Sequence, residues 1–229
     1  MTVLSNRPLV VALLSAFLGW AGAAEGPVAG LRGPESAQTK TQPPQTKAVQ
    51  APPLQPSAEP APGNPVVVIS TSLGDITLEL FKDKAPVSVD NFLQYANEGF
   101  YTDTVFHRVR KGFMIQGGGF TATLFEKPTR APLLNEATNG LNNVRGTIAM
   151  ARRQALRSAT SQFYINVVDN RALDHTGFSP SDFGYAVFGR VLSGMEVADR
   201  ISAVATTSKA DMEDVPIEPV TIKGVKVVK

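Results

Sequence analysis

Residues 105 to 119 read Val105-Phe106-His107-Arg108-Val109-Arg110-Lys111-Gly112-Phe113-Met114-Ile115-Gln116-Gly117-Gly118-Gly119. Two short apolar runs, Val105 to Val109 and Phe113 to Gln116, predict two strands, and the three closing glycines allow the backbone to turn tightly. The stretch gathers one guanidinium, Arg108, and one primary amide, Gln116, beside Phe106, Phe113 and Met114. A cation and an amide next to an apolar surface suit a neutral ligand that is polar and apolar at once, such as a peptide.

Working outward, the chain supplies a scaffold for that stretch. Val66 to Ser72 is a β-branched run, Leu73-Gly74-Asp75 offers a turn, and Ile76, Leu78 and Leu80 alternate with Thr77 and Glu79. This pattern predicts a β-hairpin with one buried face. Ala85-Pro86 opens a helix, with Val89, Phe92, Leu93 and Ala96 on one face and Gly99 as its stop. Beyond the glycines, Thr121 to Val144 is long and irregular, and its place directly after the candidate site makes it a prospective wall.

Further strands are expected at Thr147 to Ala151, Gln162 to Val167, Tyr185 to Val191 and Val220 to Val228, with a short amphipathic helix at Met195 to Ala203. About eight strands and two helices in roughly 165 residues suit a mainly β fold, a closed antiparallel barrel without exposed edges. An open α+β sandwich is the alternative.

The first quarter of the 229-residue chain has a different character. Met1 to Ala24 carries an early Arg7, an uncharged run and small residues at its end, as a secretory signal does, and it falls short of the length of a stop-transfer span. Residues 25 to 64, rich in Pro, Gln and Ala, lack the apolar area to offset ordering entropy and read as a disordered linker. One folded domain, residues 65 to 229, follows. The expected location is the periplasm, with no stable membrane insertion once the signal is removed.

Charge and residue chemistry exclude several functions. A formal net charge of +2 without long blocks of one sign argues against a dedicated nucleic-acid protein. With no cysteine and two separated histidines, His107 and His175, no thiol chemistry or familiar zinc motif is available, and no metal or other cofactor is expected. No Lys-Ser/Thr follows the three glycines to make a phosphate loop, and Ser161 lacks a Gly-x-Ser-x-Gly elbow. His107 reads as a packed barrel residue. The basic segment holding Arg152, Arg153 and Arg157 has two readings, selection of acidic flanking residues in a substrate or a solvated loop.

Five motifs occur in one order: Phe106-His107-Arg108-Val109, Gly112 to Gly118, Gly146-Thr147-Ile148-Ala149-Met150-Ala151-Arg152, Ser161-Gln162-Phe163-Tyr164-Ile165-Asn166 and Phe188-Gly189-Arg190-Val191. Together they resemble the cyclophilin family of peptidyl-prolyl isomerases, especially its bacterial secreted members, over Val66 to Lys229. The resemblance implies a closed eight-stranded antiparallel barrel capped by two α-helices, with a substrate groove outside. It places a catalytic role on Arg108 and Gln116, a proline pocket on Phe113, Met114, Tyr164 and Leu173, and backbone-binding positions on Ala151, Arg152 and Gln162.

Tyr164 stands where a phenylalanine is usual, Arg152 where an asparagine often sits, and Tyr185 where many members have a histidine at the groove. Ala172 replaces the tryptophan important for cyclosporin in eukaryotic members, so weak cyclosporin binding is expected. The implied partners are proline-containing polypeptides, met by a monomer. Two other functions compete with catalysis: a peptide-binding module or holdase of the same fold, and a carrier of an apolar ligand, which a small barrel filled by large aliphatics disfavours.

Overall fold

The computed structural model describes residues 59–209 and 211–228. The expected signal segment, and the expected linker as far as residue 58, lie outside the described residues. In chain order the elements are β1 (Val66–Thr71), β2 (Gly74–Leu80), α1 (Pro86–Asn97), β3 (Thr104–Val105), β4 (Arg108–Arg110), β5 (Met114–Gly117), β6 (Phe120–Thr121), β7 (Thr147–Met150) and β8 (Phe163–Asn166). There follow a 3-10 turn at Arg171–Leu173, β9 (Val187–Ser193), α2 (Met195–Ser202), β10 (Thr206–Lys209), β11 (Met212–Pro216) and β12 (Thr221–Val227).

Ten of the strands form one sheet in the order β4-β5-β8-β7-β9-β2-β1-β12-β3-β6. All its ladders are antiparallel. Strands β3 and β4 are separated in the chain only by Phe106-His107, and β5 and β6 only by Gly118-Gly119, yet each pair lies at opposite ends of the ladder. The sheet must therefore curl until its ends meet. Counting each broken run once gives the eight strands expected of the barrel.

The breaks have local causes. Phe106 is wholly buried, and its backbone N–H crosses to the carbonyl of Val220 at 2.9 Å. Gly118 adopts φ +81°, and a Cβ there would stand 2.7 Å from the ring of Phe163. Only glycine combines that backbone with that close approach. The three glycines thus form a corner within one barrel strand, so the tight turn expected there joins two parts of the same wall.

Inward and outward residues alternate along the strands as the pleat requires. Ile115, Ile148, Phe163, Ile165 and Phe188 enter the core, together with Val89 and Phe92 of α1 and Val197, Ala198 and Ile201 of α2. Phe92 lies between Tyr101, Phe163 and Phe188, with ring centroids 5.1, 5.6 and 5.5 Å away. Its burial couples α1 to β8 and β9, and truncation to alanine would cost about 3–5 kcal/mol. Glu79, buried in β2, accepts hydrogen bonds from Asn64 Nδ2, the Ala61 N–H and Arg190 Nε. Burial alone would raise its pKa, but these donors outweigh it and hold the carboxyl below the usual range.

The β10–β11 hairpin forms a separate two-stranded sheet and does not stand out in the sequence. Every residue of β10 is exposed, so no apolar alternation marks it, and its turn passes through Asp211 at φ +62° in place of a glycine. At the start of β9, Tyr185 donates its N–H to the carbonyl of Leu173 at 3.0 Å, so the ladder begins at Val187.

Candidate active site

Cross-strand register assembles the site. Arg108 on β4 lies opposite Gln116 on β5, and Gln116 lies opposite Tyr164 on β8. Tyr164 in turn lies opposite Ala149 on β7. Because Val109, Ile115 and Ile165 point into the core, their neighbours Arg108, Gln116 and Tyr164 share the outer face of the barrel. A cation, an amide and an aromatic ring thus stand side by side outside a packed interior.

Two subsites flank this row. On one side, Met114, Ala149, Tyr164 and Val187 form an apolar cluster separate from the main core, and Phe113, Ala151, Leu173 and Tyr185 pack onto it. All four expected proline-pocket residues are therefore brought together. Met114 and Tyr164 form a buried floor, while Phe113 and Leu173 remain partly open. On the other side is a cavity of about 580 Å³. Arg108, Gln116, Ala151, Arg152 and Gln162 line it, with Glu126, Thr129 and Arg130 from the long segment after the glycines. Gln116 Nε2 donates to Gln162 Oε1 at 3.0 Å, which fixes the orientation of both amides. Ala151 joins the two subsites.

The unusual residues fit their surroundings. The hydroxyl of Tyr164 donates to Asn143 Oδ1 at 2.7 Å, and Asn143 Nδ2 donates to the carbonyl of Leu173 at 3.0 Å. The extra oxygen thus belongs to a buried polar network that also holds the opposite side of the pocket. Burial is the main reason that the Tyr164 phenol titrates well above its ordinary range, so it remains a donor.

Arg152 gives its Nε to the carbonyl of Gly184 at 2.9 Å and its Nη2 to that of Pro180 at 2.9 Å. Its Nη1 donates to the carbonyls of Arg153 and Gln154, both at 3.1 Å. The side chain therefore ties the loop before Tyr185 to the segment after β7 and is not a free cation for an acidic substrate. Arg153 faces Glu126 at 3.5 Å.

His107 also lines the cavity, but it is only 5% exposed and packs against Phe120, with ring centroids 4.5 Å apart. Burial, reinforced by the charge of Arg108, lowers its pKa to about 4, so the ring is neutral at physiological pH. Ser161 Oγ is buried without a hydrogen-bond partner among the described residues, which gives the serine no base. His175 is engaged with the carbonyl of Phe183 through Nδ1 at 2.9 Å. Among the described residues no group of three or more His, Cys, Asp or Glu is arranged to hold a metal ion.

Sequence reasoning did not foresee the hairpin at the site. Met212 and Glu213 of β11 line the cavity, and Asp214 Oδ2 lies 3.7 Å from Arg108 Nε. The available signal was slight: an acidic pair beside Met212 in a segment with no apolar period.

Comparison with known proteins agrees with this geometry. The sequence profile described as "Cyclophilin type peptidyl-prolyl cis-trans isomerase/CLD" matches residues 66–227. Peptidyl-prolyl cis-trans isomerase A of Dickeya dadantii is 55% identical over 163 residues, which cover 71% of this chain and 84% of that one. Peptidyl-prolyl cis-trans isomerase B of Escherichia coli is 54% identical over 162 residues, covering 71% of this chain and 99% of that protein. Among solved structures, a cyclophilin-type isomerase from Cryptosporidium parvum superposes with a TM-score of 0.63 at 26% identity, covering 72% of this chain and 98% of its own.

Proposed function

The chain belongs to the cyclophilin-type peptidyl-prolyl cis-trans isomerases and is an enzyme of that class, and on this premise we propose that it turns X-Pro bonds by a non-covalent mechanism centred on Arg108. The observation that carries this reading is the cross-strand pairing of Arg108 with Gln116 on the outer face, next to the apolar cluster of Phe113, Met114, Tyr164 and Leu173.

Rotation about an X-Pro amide must break C–N resonance, and in water it takes tens to hundreds of seconds. No heavy-atom bond forms or breaks. In the twisted transition state the prolyl nitrogen becomes pyramidal and carries a lone pair that the planar amide lacks. A donor aimed at that atom binds the transition state better than the ground state. Arg108 suits the task because its guanidinium stays charged at any working pH and has planar, fixed donors.

The apolar cup of Phe113, Met114, Tyr164 and Leu173 holds the proline ring so that only one side of the amide turns. Gln116, with its orientation fixed by Gln162, and the backbone of Ala151 and Arg152 hold the flanking carbonyls. The side chain of Arg152 shapes the rim, as does Tyr185. Proline-containing polypeptides during or after export are the substrates, since Met1 to Ala24 has the composition of a secretory signal and residues 25 to 64 that of a spacer.

A protease-coupled assay on a short Ala-Pro peptide tests the proposal. Wild type should accelerate the cis-to-trans step, and Arg108→Ala should lose about 10²-fold in kcat/KM, as when one preorganised transition-state donor is removed. Full activity in Arg108→Ala would refute the role given to the arginine. An anti-aggregation assay in which Arg108→Ala matches wild type would assign any holdase activity to other surfaces.

A further inference from the structure

The β10–β11 hairpin delivers a carboxylate to the guanidinium of the proposed mechanism. Asp214 Oδ2 stands 3.7 Å from Arg108 Nε, and this is the only ion pair of Arg108 among the described residues. The contact approaches the guanidinium at the nitrogen nearest the side-chain stem. Among the described residues no protein hydrogen bond is made by any of its guanidinium nitrogens, and the Asp214 contact is an ion pair longer than a hydrogen bond.

The backbone around Asp214 is built to make this contact. In the hairpin ladder Thr207 pairs with Val215 and Lys209 with Met212, so Glu213 and Asp214 on β11 face the single residue Ser208 on β10. That inequality is a β-bulge, a device that redirects a side chain. Asp214 adopts φ +60° within the bulge, a left-handed conformation that few non-glycine residues adopt and that Asp and Asn tolerate best. The hairpin turn explains the positive φ of Asp211, but Asp214 lies three residues beyond it. Its neighbour Val215 is buried, and Met212 and Glu213 line the cavity next to Arg108. The bulge is thus fixed on both sides while it points its carboxylate at Arg108.

We propose that Asp214 is a positioning residue for isomerisation: its carboxylate, an ion-pair partner 3.7 Å from Nε and beyond hydrogen-bond distance, draws the guanidinium of Arg108 to one side so that the terminal N–H groups stay directed at the prolyl nitrogen. This inference rests on the role assigned to Arg108 above. The Arg108 side chain is 39% exposed, so it has room to sample other rotamers without such a partner. A guanidinium presents one N–H at Nε and four at the terminal nitrogens, and a carboxylate on the Nε side favours rotamers that leave the other four free. Preorganisation of this kind acts on turnover more than on substrate binding.

The decisive variants are Asp214→Asn, which keeps the shape and tolerates φ +60°, and Asp214→Gly, which keeps the backbone and removes the side chain. Both are made in the full chain and in the Arg108→Ala background. We expect each to lower kcat about fivefold with KM within about twofold, and to have no further effect once Arg108 is absent. The thermal midpoint should move by no more than about 3 °C. Wild-type kcat in either variant, or an equal loss in the Arg108→Ala background, overturns the proposal. A loss carried entirely by KM overturns it as well. Impaired Arg108→Ala with unimpaired Asp214→Asn refutes only this inference, whereas full activity in Arg108→Ala refutes the reading beneath it.

Discussion

The guanidinium carbon of Arg152 lies 4.7 Å from the ring centroid of Tyr185, so the two residues at which the resemblance leads one to expect an asparagine and a histidine touch each other. The same arginine donates to four backbone carbonyls, from Arg153, Gln154, Pro180 and Gly184. The departures are a coupled pair: a long planar donor that gathers a loop, and an aromatic face that supports it. We expect Arg152→Ala to lower stability by about 1–2 kcal/mol. It should raise KM several-fold with a smaller change in kcat, and Arg152→Lys should not restore either value because lysine lacks the planar fork. Denaturant titration with steady-state kinetics checks this, and full rescue by lysine would refute it.

Tyr164 separates packing from hydrogen bonding within one side chain. Its ring floors the apolar cluster proposed to hold the proline, and its hydroxyl donates to Asn143. Tyr164→Phe should therefore keep kcat/KM within about twofold while costing about 1 kcal/mol of stability, the net value of one buried hydrogen bond. A large loss of activity with unchanged stability would show that the hydroxyl contacts substrate.

His107 makes stability depend on pH. Its pKa falls from an ordinary 6.5 to about 4 on folding, because burial disfavours the charged ring. Between those values the unfolded chain binds the proton and the folded chain does not, so stability rises with pH across that window. The contribution is full above pH 6.5 and is lost as pH falls towards 4, by up to about 3 kcal/mol. Chemical denaturation from pH 7 to 5, above most carboxylate titration, should show this slope in wild type, and His107→Gln should flatten it. An unchanged slope in the variant would count against the assignment.

Ala172 lies exposed in the middle of the 3-10 turn that places Leu173 at the pocket. The resemblance places a tryptophan here in eukaryotic members, and introducing that ring should strengthen cyclosporin binding. We expect Ala172→Trp to lower the inhibitory concentration about tenfold, in the range of a single aromatic contact, while peptide turnover changes little. Equal inhibition of both proteins would refute this role for position 172.

The two scales of this fold differ in how far the sequence reveals them. The hairpin of β1 and β2, both helices and strands β7, β8, β9 and β12 follow from apolar period and turn chemistry, since each has one face in a continuous core. Phe163 enters the core while its strand neighbours Gln162 and Tyr164 face the site, as the alternation of a strand requires. Phe113, Met114 and Tyr164, which the structure brings together with Leu173, sit in motifs that carry the family resemblance, whereas Leu173 lies outside them. What remained hidden depends on tertiary contact: an entirely exposed strand β10 has no period, and the aim of Asp214 depends on a bulge. The carbonyls that receive Arg152 come from residues up to 32 positions away, so local pattern shows only an arginine in a basic segment.

The way the barrel closes also bears on its encounter with unfolded chains. Its ladder ends on β4 and β6, strands of three and two residues, because the two runs that would form its edges each cross from one end of the sheet to the other. At the ends of that ladder an extended polypeptide meets no long row of unpaired main-chain groups to join. In the proposed function a proline ring and one turning amide are held in the groove by side chains and by the backbone of Ala151 and Arg152, without a new ladder to break. A barrel closed in this way is a poor template for the aggregation of incompletely folded chains.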